Sequence, residues 1–330
     1  MAQIVLGIGA SHSPLLALEG KRWSERSADD MRNQRLNTAD GRYISYDQLA
    51  KETGSPWSEV ATETKYMELE AASQAALDRL ADELEAAAPD VVVIVGDDQG
   101  ELFNLANTPA VGVFYGDQLV MHPRAITETT PAWVGTVMKG YAMDAAHVFP
   151  GHPDIGQAII AGLIERDFDV AAASKVEDPV KAGFGHAYGF IIERLFKDKP
   201  IPVVPILLNT YYPPNVPRPS RCYALGQAMR EIVEALPGNA RVAVAASGGL
   251  SHFVVDEDLD RQIVDAIRSG DHAVLRSLPA HKLIAGSSEI LNWLVMAGMV
   301  EGLKSKWIDY HPIRRTPAGT GIGVAFGAWN

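Results

Sequence analysis

Apolar residues are grouped along the chain in two patterns, and each pattern predicts a different kind of element. Short runs of β-branched and aliphatic residues are typical of strands that are buried on both faces of a sheet. Leu and Ala residues that recur every three or four positions, with charged residues between them, predict amphipathic helices. The runs predict strands at residues 4–8, 91–95, 111–115, 201–208, 242–246 and 323–326. The helical pattern is clearest at 62–88 and also predicts helices at 155–166, 186–195, 223–236, 259–268 and 289–299.

Strands and helices alternate along the chain, which is typical of the α/β class. We therefore predict one α/β domain over residues 1–330, with a central, mostly parallel mixed sheet flanked by helices. Residues 20–57 interrupt the alternation because they are rich in Arg, Asp, Asn and Ser and show little periodicity. We interpret them as an insertion in the first strand-to-helix crossover, either a solvated loop or a lid or subunit-contact arm.

Composition narrows the possible partners. With 47% hydrophobic and 21% charged residues, the chain is an ordinary globular protein, and its one cysteine, Cys222, excludes an internal disulfide. It has neither an apolar run of roughly 18–20 residues nor the features of a signal peptide, so we expect a cytoplasmic protein that does not enter membranes. A net charge of -12 without clustered Lys and Arg argues against nucleic acid. We expect a small-molecule partner.

Two histidines follow predicted strands within segments rich in Gly and Ser. His12 lies in residues 9–14 (GASHSP), and His252 lies in residues 247–253 (SGGLSHF). Reactive groups of open α/β sheets gather beyond the carboxyl ends of the strands, and glycine lets the backbone approach a ligand closely. A single loop histidine is often structural, but two in this setting indicate a site.

Acidic residues occur in two further places of interest. Residues 96–101 (GDDQGE) directly follow an apolar strand, and their oxygen atoms suggest a hard cation or a hydrogen-bonded polar site. The alternative is helix capping and a solvated turn. Glu289 begins the predicted helix 289–299, where it could bind a ligand or could simply interact favourably with the helix dipole.

Five segments, in their order and spacing, resemble the catalytic subunit of class III extradiol dioxygenases, the group that includes protocatechuate 4,5-, gallate and 3-O-methylgallate dioxygenases. The segments are residues 9–14, 151–154, 209–214, 247–252 and 286–289. The resemblance implies that His12 and Glu289 are ligands of ferrous iron and that His252 is the acid-base residue.

The chain departs from the family pattern at two positions. The second histidine ligand of the family follows an aspartate, whereas here the pair is Asp98-Gln99. Gln99 then becomes the third predicted ligand, through a neutral oxygen that binds iron more weakly than imidazole, unless Asp97, Asp98 or Glu101 replaces it. The second catalytic histidine corresponds to His186, whose neighbours differ from the family motif.

The resemblance implies extradiol cleavage of a catechol- or gallate-like ring by O2. It also implies a homodimer, with Asn209, Thr210, Tyr211 and Thr320 predicted to shape the substrate pocket. Two alternatives stay open because the ligand set is altered. The chain could be a metal-dependent hydrolase that uses the same pocket to activate water, or a binding protein without oxygenase activity.

Overall fold

One nine-stranded sheet forms the centre of the protein in the computed structural model, which describes residues 1–330. The strands of the chain are β1 (Gln3–Ala10), β2 (Leu36–Asn37), β3 (Tyr43–Ile44), β4 (Val91–Asp97), β5 (Val111–Phe114), β6 (Gln118–Val120), β7 (Val148–Pro150), β8 (Ala171–Ala173), β9 (Val203–Leu208), β10 (Arg241–Ser247), β11 (His252–Val254), β12 (Ser305–Arg314) and β13 (Thr320–Trp329). The helices are α1 (Trp23–Met31), α2 (Tyr46–Thr53), α3 (Glu63–Ala87), α4 (Ala132–Gly140), α5 (Pro153–Ile164), α6 (His186–Leu195), α7 (Pro219–Ala235), α8 (Glu257–Ser269), α9 (His272–Arg276) and α10 (Ile290–Met299).

The strand order places the most apolar strands in the middle of the sheet. Along the sheet the order is β11-β13-β1-β10-β4-β9-β5-β8, and β12 pairs with β13. The four central strands β1, β10, β4 and β9 are mutually parallel, while β13 runs antiparallel to β1 and β5 runs antiparallel to β9. The predicted fold, a single α/β domain with a mixed central sheet flanked by helices, is confirmed.

Side chains of the central strands point alternately into two hydrophobic layers. In β4, Val91, Val93 and Val95 pack into one layer, while Val92 and Ile94 pack into the other. Helices α5, α7, α8 and α10 cover the first face, and α3, α4 and α6 cover the second. Because both faces are covered, the strands contain almost no polar residues, which explains their continuous apolar runs.

Residues 20–57 are more regular than their composition indicates, because they form α1, α2 and the short β2–β3 ladder. Several of their apolar side chains, among them Trp23, Leu36 and Leu49, are buried, whereas Met31 and Tyr43 are exposed. The polar residues lie on the outer surface, where they hide the helical pattern from a search for apolar periodicity.

The carboxyl-terminal strands are longer than predicted. The predicted strand 323–326 is part of β13, whose ten residues are all buried and pair with β1, β11 and β12. Strand β12 was not predicted because Lys306, Asp309 and His311 interrupt its apolar positions. None of the helices is long and apolar enough to cross a membrane.

Candidate metal and substrate site

The carboxyl ends of β1, β10, β4 and β9 meet at one edge of the sheet, beside a cavity of about 410 Å³. Parallel neighbouring strands bring their following loops together at such an edge. All five residues predicted as metal ligands or catalytic groups therefore line the same cavity, although they are far apart in the chain. They are His12, Gln99, His186, His252 and Glu289.

His12 is oriented by a hydroxyl group at the end of β10. Its Nδ1 lies 2.9 Å from Oγ of Ser247, and that hydroxyl donates its own hydrogen to the carbonyl of Ala187 at 2.6 Å. The Ser247 oxygen must therefore accept from Nδ1, so the unprotonated nitrogen of His12 is Nε2. His12 is only 3% exposed, and its Nε2 faces the acidic residues described below.

His186 and His252 are oriented in the same way, through Nδ1. Glu101 Oε1 lies 2.8 Å from Nδ1 of His186, and the carbonyl of Leu250 lies 2.9 Å from Nδ1 of His252. A carboxylate or carbonyl at Nδ1 keeps a proton there, so Nε2 is the nitrogen that would bind a metal or a substrate. Burial opposes protonation of His186, but Glu101, Asp97 and Glu289 raise its pKa to about 9, so a metal at Nε2 of this ring would displace a proton. The sequence indicates the three histidines but not these partners.

Two glycines make room for the ring of His252. A Cβ atom at Gly249 would lie 2.6 Å from its Cε1, and one at Gly286 would lie 2.4 Å from its Cγ. Burial lowers the pKa of this imidazole, although the charge of Glu289 opposes the effect. His252 is therefore neutral near pH 7 and able to accept a proton.

Glu289 points into the site instead of capping its helix. Its Oε2 lies 3.3 Å from Nε2 of His12 and 3.7 Å from Nε2 of His252, and it accepts the backbone N–H of Gly249 at 2.8 Å. Burial opposes ionisation, but attraction to the protonated forms of His252 and His12, with the backbone N–H of Gly249, outweighs it and holds the pKa of Glu289 at about 2. The carboxylate is thus ionised, and the helix-dipole interpretation does not describe its contacts.

Asp97, at the end of β4, completes a cluster of metal-binding groups. Ligand atoms of His12, Asp97 and His186 all lie within 4.8 Å of one another. One oxygen of Asp97 is 4.0 Å from Nε2 of His12, and the other is 3.8 Å from Nε2 of His186. Burial, together with the charge of Glu289, raises the pKa of Asp97.

The remaining polar residues of 96–101 have different partners. The side-chain nitrogen of Gln99 donates to Asp97 at 2.8 Å and lies 3.3 Å from Nε2 of His186. Asp98 instead accepts the backbone N–H groups of Glu101, Leu102 and Phe103, so it stabilises the turn. Both functions suggested by this acidic stretch, a polar site and a capped turn, are present in neighbouring residues.

Of the four predicted substrate-binding residues, Tyr211 lines the cavity. Asn209 is buried and bonds to the backbone of Tyr212 and to Asn215, which holds the loop after β9. Thr210 lines a separate, smaller groove, and the fully buried Thr320 donates its hydroxyl hydrogen to Asp30. The structure does not bring Asn209, Thr210 and Thr320 to the cavity wall.

Several residues of the cavity are not marked by any pattern in the sequence. Tyr141 is buried, donates a hydrogen bond to the carbonyl of His12, and has its ring centroid 5.6 Å from that of His186. Arg26 and Trp133 also line the cavity, on α1 and α4. No motif marks these positions, and Arg26 lies in the segment that we interpreted as an insertion.

Comparison with known proteins identifies the family. Residues 58–325 match the family described as the catalytic LigB subunit of aromatic ring-opening dioxygenase, so the chain belongs to this family. The predicted resemblance to ring-cleavage dioxygenases is thereby confirmed. The chain is 27% identical over 185 residues to gallate dioxygenase of Pseudomonas putida, a match that covers 53% of this chain and 52% of that protein.

A second relative is the 2,3-dihydroxyphenylpropionate/2,3-dihydroxicinnamic acid 1,2-dioxygenase of Comamonas testosteroni. It is 34% identical over 99 residues, which is 30% of this chain and 29% of that protein. The matched region thus spans about half of one relative and less than a third of the other.

Proposed function

We propose that the protein is an iron(II)-dependent extradiol dioxygenase that opens a catechol- or gallate-like ring with O2. The observation that supports this most is the convergence of Nε2 of His12, Nε2 of His186 and the carboxylate of Glu289 on one cavity within the family's fold. Two imidazoles and one carboxylate are the donor set typical of non-haem iron(II) oxygenases.

The charges around the cavity fit a bound cation. Asp97, Glu101 and Glu289 are buried or nearly so, and their nearest partners are imidazoles and an amide, not Lys or Arg. Buried carboxylates are costly unless they are paired or coordinate a metal. A divalent cation held by His12, His186 and Glu289 would lie near Asp97 and would compensate these charges.

We propose His12 and Glu289 as two ligands and His186 as the third, with Gln99 in a supporting position. Glu101 directs the free nitrogen of His186 toward the site, as outer partners of metal-bound histidines do. Gln99 instead presents its NH2 group to Asp97 and His186, and NH2 is a donor that cannot bind a metal. Its carbonyl oxygen would become a ligand only after the amide had rotated and given up these contacts.

The residues around the metal would have separate tasks. Bound ferrous iron would supply the positions in which two adjacent ring oxygens and O2 meet, together with the redox chemistry of ring opening. His252 would take a proton from a ring hydroxyl, since its free nitrogen faces the cavity and its pKa is lowered. Burial, with the charge of Glu289 next, raises the pKa of Tyr211, whose hydroxyl therefore stays protonated and can donate to a substrate oxygen.

Oxygen uptake tests the proposal. Protein reconstituted anaerobically with ferrous iron would be mixed with gallate, 3-O-methylgallate and protocatechuate while O2 and ring absorbance are recorded. Uptake of one O2 per ring lost is expected. Turnover without O2 would indicate the hydrolase alternative, and tight binding without turnover would indicate a binding protein. A metal content of zero after reconstitution would contradict the proposal as a whole.

The homodimer and the cytoplasmic location stay predictions. Sedimentation would test whether the protein is a homodimer.

A further inference from the structure

We infer that Arg26, on α1, binds a carboxylate attached to the substrate ring and so selects acidic rings over neutral ones. The inference rests on the proposed function for the hydroxylated ring of the substrate. The preference for a negatively charged ring rests on Arg26 alone. It assigns a binding role to residues 20–57, which sequence analysis interpreted only as a loop or an arm.

Three arginines line the cavity, and they differ in how far their charges are already paired. Arg315 is buried and forms two hydrogen bonds with Asp30, at 2.7 and 3.2 Å. Arg124 is exposed to solvent at the edge of the cavity. Arg26 is the one that is both largely buried and incompletely paired.

The only acidic contact of Arg26 is long and is shared with another cation. Its Nη1 lies 3.5 Å from Oδ2 of Asp29, whereas Asp29 pairs with Arg32 at 2.6 Å. The side chain of Arg26 is 24% exposed, and its Cζ lies 5.3 Å from the ring centroid of Trp133. The aromatic ring supports the guanidinium against the cavity wall but does not neutralise it.

Burial without a close partner makes this cation a favourable place for an anion. Burial lowers the pKa of Arg26, and the like charge of Arg315 adds to the effect, whereas Asp30 and Asp29 oppose it only in part. A planar guanidinium binds a carboxylate through two parallel hydrogen bonds, which fix both distance and orientation.

The cavity is lined by groups of opposite charge. His12, His186 and Glu289 form the part where the ring hydroxyls would bind, and Arg26 lies on the wall of the same cavity beside Trp133. A ring with hydroxyls on one side and a carboxylate on the other matches this arrangement. The carboxylate would then decide which way the ring enters.

Binding of two matched ligands tests the inference. Gallate and pyrogallol have the same three adjacent hydroxyls, and only gallate has a carboxylate. Their dissociation constants would be measured by calorimetry without O2, so that nothing turns over. We expect the unmodified protein to bind gallate roughly 10-fold or more tightly than pyrogallol, the ratio typical of a charged hydrogen bond.

Arg26→Met keeps most of the aliphatic stem and removes the charge. We expect this variant to bind gallate more weakly and pyrogallol as before, so that the two dissociation constants become nearly equal. Arg26→Lys should keep part of the preference for gallate. Unchanged pyrogallol binding would show that Arg26→Met is folded. Arg22→Met is the control, because Arg22 immediately precedes the same helix but pairs with Glu25 at 2.7 Å and does not line the cavity.

Two results would overturn the inference: equal affinities in the unmodified protein, or a preference for gallate that survives Arg26→Met. Neither depends on catalysis. If the preference is lost in Arg26→Met but no ring consumes O2, the anion site stands and the proposed oxygenase activity fails.

Discussion

Single residues determine which nitrogen of each histidine is available to a ligand. Ser247, Glu101 and the carbonyl of Leu250 each occupy an Nδ1 atom, and in each case Nε2 is left facing the cavity. A metal site needs such fixed tautomers, because a protonated nitrogen cannot coordinate. The different surroundings of the three rings therefore predict different consequences when each is replaced.

His186 and Gln99 compete for the role of third ligand, and matched substitutions distinguish them. We expect His186→Gln to lower the affinity for ferrous iron by at least the roughly 10–100-fold that follows loss of an outer partner of a metal ligand. Gln99→Ala should change the affinity little, and Gln99→His should retain or strengthen it. Anaerobic titration with ferrous iron, followed by metal analysis, measures all three. Loss of iron from Gln99→Ala but not from His186→Gln would reverse our assignment.

His252 should matter for proton transfer and not for metal retention. We expect His252→Gln to reduce kcat by roughly 10²–10⁴-fold, the usual contribution of a positioned acid-base group. Bound iron should be unchanged, since Glu289 keeps its bond to the backbone of Gly249. Oxygen uptake and iron content of the same sample provide the two measurements, with the half-exposed His147→Gln as control. A variant that loses iron and activity together would show that His252 is a ligand.

At the scale of elements, α1 is held against the sheet by a buried ion pair. Asp30, at its end, accepts two hydrogen bonds from Arg315 and one from Thr320, the first residue of β13. Ser27 and Tyr66 both donate to the carbonyl of Arg315, so α1 and α3 meet at this residue. The helix that contains Arg26 is thus fixed in position beside the cavity.

Removal of one partner of this pair should destabilise the protein. Asp30→Ala leaves the guanidinium of Arg315 buried without its carboxylate, which typically costs about 3–5 kcal/mol. Urea unfolding, followed by circular dichroism, would measure the change in the free energy of unfolding. Asp40→Ala is the matched control, because Asp40 lies in the same segment but is exposed. Equal stability of the two variants would show that the Asp30–Arg315 pair does not anchor α1.

The elements could be predicted from the sequence where burial alone determines the pattern. The central strands, such as β4 with its five consecutive apolar residues, are buried on both faces, so every position is apolar. Helix α3 was predicted to within one residue at each end because one face is apolar and the other charged. In α1 and β12 the buried positions are few and separated by charged side chains, so tertiary contacts rather than periodicity determine these elements.

At the scale of the whole molecule, strand topology brings the site together. The ends of β1, β4 and β10 could be recognised as functional from their loops, which is why His12 and His252 were found. The hydrogen-bond partners of these residues could not be recognised from the sequence, because Ser247 and His12, for example, are 235 positions apart in the chain. Arg26 is a similar case, since only the packing of α1 against α4 shows that it lines the cavity.

The stability of the whole molecule should depend on pH through Asp260. This carboxylate is fully buried and accepts hydrogen bonds from the backbone and hydroxyl of Ser251 and from the hydroxyl of Tyr310. Burial raises its pKa to about 6, above its ordinary value of 3.8. Between pH 3.8 and about pH 6, the folded protein therefore binds more protons at Asp260 than the unfolded chain does. Ionisation of Asp260 therefore lowers the stability of the protein as pH rises from about 4 to about 6. Above about pH 6 the contribution of this group to stability stays constant.

Asp260→Asn removes this titration and should flatten the pH dependence. The difference in free energy of unfolding, variant minus unmodified protein, should increase by about 3 kcal/mol between pH 4 and 6 and then level off. Tyr310→Phe should move the midpoint to higher pH, because the ionised carboxylate loses a donor. Urea unfolding at half-unit steps of pH measures both effects. Parallel curves for the unmodified protein and Asp260→Asn would mean that the carboxyl group titrates alike in the folded and unfolded chains, so that the hydrogen bonds from Ser251 and Tyr310 fully offset its burial.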